Sequence, residues 1–255
     1  MRTETTMAVQ NPTARRHEAQ GGPPLGPLAL VFTALFVAGL AAGIVMAGGA
    51  TFPSPFGGAD ATDDIAAYFR DHTDAVRIAA TLQFGASVPL AIYAATASAR
   101  LHRLGVRAPG ATIALAGGLL ASGFLALSAL LSWTLSRPEV LGQTGVVRAF
   151  QTLAFATGGP GNVVALGLLV AGVAVPGLLA GLLPRGLALG GLVLAALAEL
   201  STLTLLFDGA AVLLPIARFG GLLWLIAAGF LLPRHRSDPR VRARTGAPHP
   251  EETRA

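Results

Sequence analysis

Six runs of the sequence, at 25–49, 78–99, 110–135, 149–176, 186–207 and 210–232, are apolar almost without interruption. Each reaches the ~20 residues a helix needs to cross about 30 Å of hydrocarbon. Lipid offers no partner to a backbone N–H or C=O, so such a run crosses only as a helix that satisfies its own backbone. The expected fold is all-α, a polytopic transmembrane bundle of six helices with both ends on one side. The first run exceeds the ~7–15-residue apolar core of a secretory signal and reads as a retained span.

Composition enters as support. Charged residues make up 12% of the chain, about half the ~25% of a soluble domain, and the mean hydropathy is +0.64. The absence of Cys removes disulfides, thiolate metal sites, iron–sulfur clusters and Cys nucleophiles. All basic side chains are Arg, and the Ala, Gly and Leu excess points to a bacterial genome of high G+C bias. The formal charge of +5 does not imply nucleic acid, because the Arg residues cluster at the ends of the runs and in the tail. Residues 1–24 are polar and rich in Pro, Thr and Arg, which predicts a disordered arm, and 233–255 reads as a disordered basic tail.

The Arg distribution predicts orientation. Placing both ends in the cytoplasm puts Arg2, Arg15, Arg16, Arg100, Arg103, Arg107, Arg185, Arg234, Arg236, Arg240, Arg242, Arg244 and Arg254 inside, and only Arg70, Arg77, Arg137 and Arg148 outside. The expected location is the inner, cytoplasmic membrane. The basic loop (Arg100, Arg103, Arg107) and the tail (Arg234, Arg236) would meet anionic lipid of the inner leaflet, worth about 1 kcal/mol per Arg near the surface.

The long segment 50–77 contains a stiff turn, Phe52-Pro53-Ser54-Pro55-Phe56, and then Thr62-Asp63-Asp64 ahead of an apolar stretch. Thr62 suits an N-cap and the two Asp suit the positive end of a helix dipole, so a short surface helix is expected there, anchored by Tyr68 and Phe69. Asp60, Asp63, Asp64, Asp71 and Asp74 do not have the spacing of a calcium loop. A second cap is expected at Thr73. Gly39 with Gly43, and Gly186 with Gly190, form small-xxx-small pairs that permit close helix approach.

Charges inside spans are expensive, which singles out Glu199 and Arg218. Glu199 lies ten residues before Gly209 and Arg218 nine after it, a depth of roughly 13–15 Å on each of two antiparallel helices. An ion pair is expected, with Thr202 one turn beyond Glu199. It either locks the last two spans together or lines a polar site for an ion, proton or anionic headgroup. Gly158, Gly159, Pro160 and Gly161 interrupt the fourth span, and Asn162 follows them. Such a break frees backbone groups and is either a packed kink or the lining of a binding site. Gln83, Pro89 and Pro215 raise the same two alternatives.

Several enzyme classes lack their residues. His17, His72, His102, His235 and His249 lie outside the apolar runs, so paired-His haem ligation and a Ser/His dyad within the membrane have no donors. Without Lys there is no retinal Schiff base. Asp208-Gly209-Ala210-Ala211 opens like a lipid phosphatidyltransferase motif, but its Arg and downstream Asp pair are missing. No catalytic set and no cofactor are expected.

One stretch carries a resemblance: Tyr68-Phe69-Arg70-Asp71-His72, Val76-Arg77-Ile78-Ala79-Ala80, Leu82-Gln83-Phe84, Pro89-Leu90-Ala91-Ile92-Tyr93, Arg100-Leu101 and Leu104-Gly105-Val106-Arg107. It resembles a family of six-span bacterial membrane proteins defined by a domain of unknown function. The resemblance covers the spans and implies the same topology, with no activity. Two functions are expected from the residues: a non-enzymatic accessory or sensory protein that binds lipid or a membrane-protein partner, or a small transporter built around Glu199, Arg218 and the broken fourth span. Intramembrane catalysis ranks behind both.

Overall fold

A computed structural model describes residues 22–56 and 61–234. The expected tail beyond Arg234, including Arg236, lies outside the described residues, as do Asp60 and most of the N-terminal arm. The described chain is helical throughout: α1 (Leu25–Met46), α2 (Ala61–Asp71), α3 (Thr73–Arg103), α4 (Gly110–Thr134), α5 (Pro138–Leu141), α6 (Thr144–Ala156), α7 (Asn162–Leu179), α8 (Arg185–Leu200) and α9 (Leu213–Leu231). A π-turn (Thr157–Gly161) joins α6 to α7, and 3-10 turns (Ser201–Leu205, Asp208–Val212) link α8 to α9. Six helical units are long and apolar enough to cross a membrane, and the fourth is Thr144–Leu179. This is a multi-pass membrane protein.

Local chemistry sets the ends. Pro24, Pro109 and Pro184 immediately precede α1, α4 and α8, where a missing N–H costs nothing because the first helical donors have no intrahelical acceptor. Downstream of α3, Gly105 takes a φ of 82°, a left-handed conformation that halts the helix at little steric cost. The third helix outruns its apolar stretch at both ends, with Asp74 in its first turn and Arg100, His102 and Arg103 in its last.

The spans form a closed circuit. α3 packs on α1 and α4, α4 on α7, α7 on α8, and α9 returns to both α8 and α1. The fourth span lies deepest, with 67% of its apolar window buried against 39% or less for the others. Its tightest seam is with α4: a Cβ on Gly172 would strike the Ala114 backbone nitrogen, and one on Gly117 would meet Leu168 and Leu169. Gly39 and Gly43 do lie against α3, at Ala79 and Leu82. Gly186 and Gly190 face open space, so that expected approach is absent from this chain; Gly191, one residue on, takes the Trp224 ring instead. Gly26 at the start of α1 abuts Gly229 near the end of α9, so the chain enters and leaves the bundle on one face.

The opposite face carries a cap. Ile65, Ala66 and Phe69 of α2 join Val76, Leu135 and Val147 in a separate apolar cluster. The expected surface helix is therefore packed into protein, and Phe69 is fully buried rather than a headgroup anchor. Asp63 and Asp64 occupy its first turn as expected. Thr73 does not cap α3: its hydroxyl donates backwards to Phe69 O at 3.0 Å and Arg70 O at 3.2 Å, closing the joint between the helices.

Candidate functional site

The π-turn in the fourth span organises the site. Pro160 has no N–H, and Gly159 adopts ψ −106° with φ −83°, so the regular helical ladder fails here. Side chains reinforce the carbonyls around the break. Ser128 on α4 donates to Ala154 O at 2.8 Å. Thr157 donates to Leu153 O at 2.7 Å. The Gly158 carbonyl is taken by the Arg218 guanidinium from α9.

Between this turn, α1, α3, α4 and α9 lies a cavity of about 380 Å³. Its walls are chiefly apolar, with Phe36, Leu40, Val76, Leu125, Phe155 and Leu214 among them. Polar groups enter at few places: Gln83, Ser128, Ser132 and Arg218. Phe52 and Tyr68 form the end nearest the cap. The strap carrying Phe52 is pinned across that end, with Gln151 donating to Pro53 O at 2.8 Å and Arg148 to Pro55 O at 2.9 Å. Phe52 stacks edge-on against Phe69, 5.4 Å between ring centres. Burial holds the Tyr68 phenol above its ordinary value, so it is a neutral donor at the cavity end.

Among the described residues Arg218 is the single charged one lining the cavity. Its Nε is buried and without a partner, and its Cζ lies 5.4 Å from the centre of the Phe36 ring. Among the described residues the ion pairs are Arg77–Asp74 and Arg137–Glu139, so the expected pairing of Arg218 with Glu199 is not formed. Glu199 is exposed on the outer side of α8, in line with the exposed Val193 and Ala196, while Ala195 and Ala198 face inward. Thr202 is exposed as well. Matching depth did not suffice, because facing decides a contact and five residues on each side of the bend are 3-10 helix. These turn by about 120° per residue rather than the ~100° of an α-helix, which changes the facing of the residues beyond them.

The structure thus gathers Arg218, Gln83, Gly158 and Gly159 at one cavity and leaves Glu199 and Thr202 elsewhere. Asn162 is buried and stitches the fourth span to α4 by donating to Ala121 O at 2.8 Å. Gly161 admits no side chain without crowding Ala156 O and Phe124. Pro215 falls in the first turn of α9, where it breaks nothing. Pro89 lies inside α3, and Ser122 donates to the nearby Ser87 O at 2.7 Å. The sequence reading overlooked Phe36, Ser128 and Ser132. The signal for the serines was their spacing, one helical turn apart in an otherwise aliphatic run.

On the opposite face, Arg100 is buried and reaches the Leu232 carbonyl at 3.5 Å. It ties α3 to the end of α9 and is not free to meet lipid. Arg103, Arg107 and Arg234 are exposed there. Comparison with protein-family models, curated proteins and solved structures finds no match.

Proposed function

We propose that this protein is a non-enzymatic lipid-binding membrane protein of accessory or sensory type, and that the cavity beneath the cap holds a lipid-like molecule. One observation carries the reading: the cavity, about 380 Å³ and mostly apolar, has few polar groups and lies at the level of the fourth-span break. Small-molecule sites have this character, with volumes of about 300–1,000 Å³ and a small number of placed polar contacts. The excess of Arg on the face where the chain ends enter supports a bacterial inner membrane with both termini cytoplasmic. Exposed Arg103, Arg107 and Arg234 then lie against anionic lipid of the inner leaflet.

Purification in native lipid followed by mass measurement of the intact complex tests this. Wild type and a lipid-facing control, Leu130→Phe, should retain a lipid-like mass; Ser132→Phe, which fills the cavity, should lose it. Retention by all three, or by none, would count against the cavity as the binding place. The π-turn also favours a second reading, transport, because interrupted helices line the binding sites of many carriers. Transport requires a Cys at Ser132 to react with an impermeant thiol reagent from either side in turn. Reaction from one side alone supports binding without translocation.

A further inference from the structure

Arg218 poses a chemical question that the fold does not answer. A guanidinium is always charged and presents several N–H donors in a planar fork. The protein supplies one carbonyl, Gly158 O, and one aromatic face, Phe36. Among the described residues the buried Nε has no partner, none that lines the cavity is acidic, and no carboxylate pairs with Arg218. A part-buried cation whose Nε is shut off by such walls keeps much of its desolvation penalty unless an anion enters with it.

We infer that the cavity takes a single-chain amphiphile with an anionic, carboxylate-like head, and that Arg218 holds the head while the chain lies along the apolar walls. This rests on the cavity being the lipid-binding place. The fork matches a carboxylate in two parallel hydrogen bonds, which a point-charge Lys does not reproduce. The volume, at the small end of ligand cavities, suits one chain rather than two. Ser128 and Ser132 line the α4 wall, and Gln83 lies on α3. The Ser132 hydroxyl and the Gln83 amide can donate to an oxygen-rich head without adding charge, whereas the Ser128 proton is held by Ala154 O. The chain then runs among Leu40, Ile44 and Phe219, residues of α1 and α9 that line the same cavity.

The test compares three probes on the full chain in detergent at mildly alkaline pH: oleate, oleyl alcohol and acetate. Wild type should bind oleate about tenfold or more tightly than the alcohol, the margin of a charge-assisted hydrogen bond, and should bind acetate weakly. Arg218→Met should erase the preference for oleate over the alcohol, and Arg218→Lys should restore only part of it. Equal binding of oleate and alcohol to wild type would overturn the anionic head and leave the cavity reading standing. Acetate binding as tightly as oleate would overturn the amphiphile. Binding of neither long-chain probe would remove the cavity reading itself. The wild-type comparison decides the matter even where a substituted chain fails to fold, and an oleate preference that survives Arg218→Met would assign the head to another residue.

Discussion

Replacing Arg218 with Met separates a structural cation from a ligand-holding one. The structure gives Arg218 a single hydrogen bond, to Gly158 O, and no ion pair. Losing a hydrogen bond to a charged group costs about 1.5–3 kcal/mol. Placing an Arg at mid-membrane depth costs roughly 2.5–3.5 kcal/mol on insertion scales, and Met removes that penalty. The two terms partly cancel, so the net change should lie between about 2 kcal/mol stabilising and about 0.5 kcal/mol destabilising. A buried ion pair behaves differently, because removing one partner strands the other at about 3–5 kcal/mol. The assay is reversible unfolding in mixed micelles, monitored by far-UV helicity, with Glu199→Gln beside it. Glu199→Gln should leave the midpoint unmoved, since no partner awaits its carboxylate. A loss above about 3 kcal/mol for Arg218→Met, matched by a shift for Glu199→Gln, would refute the accounting and restore the pair.

Gly158→Ala pushes a Cβ into the Ser128 hydroxyl and so endangers the bond to Ala154 O; it should destabilise by about 1–2 kcal/mol, and by less when Ser128→Ala is already present, whereas strict additivity in that double-mutant cycle would show the two do not touch. Tyr93 is fully buried and donates to Leu225 O at 3.0 Å, so Tyr93→Phe should cost about 1 kcal/mol in the same unfolding assay, and a stabilised variant would contradict that bond. The raised Tyr68 phenol favours the neutral form in the folded cap. Its contribution is therefore fully present below about pH 10 and lost as pH rises through the higher folded value, an alkaline limb that Tyr68→Phe should flatten in pH-dependent melting.

The six spans were legible because hydrocarbon imposes one demand on every residue of a run, and composition alone meets it. The cap helix was half legible. Ile65 and Phe69 stand one turn apart beside Ala66, a stripe that marks a buried face, yet nothing in the order of residues says that Val147 and Leu135 will cover it. The Glu199–Arg218 pairing failed on facing: a depth count from a bend does not say which side of a helix a residue occupies, and 3-10 turns on both sides alter the α-helical phase. The cavity was the least legible feature. Its lining comes from four spans on α1, α3, α4 and α9, together with the π-turn of the fourth span and the strap. The break at Gly158–Gly161 pointed to its neighbourhood because missing backbone donors require outside partners, and Arg218 is one of them.

The π-turn also fixes the length of the chain through the fourth span. An i→i+5 turn accommodates a surplus residue relative to α-helix, which leaves α6 and α7 out of phase by about one residue's rotation. Deleting Pro160 would remove the surplus residue together with the missing donor and let the ladder close into a straighter rod. Everything downstream would then swing by about 100°, carrying Leu169 and Gly172 away from Gly117 and Ala114, where the two backbones touch. Aliphatic exchanges along this span should thus be tolerated far better than a one-residue deletion at its centre. The surplus residue works as a gear tooth, setting which side of α7 meets α4.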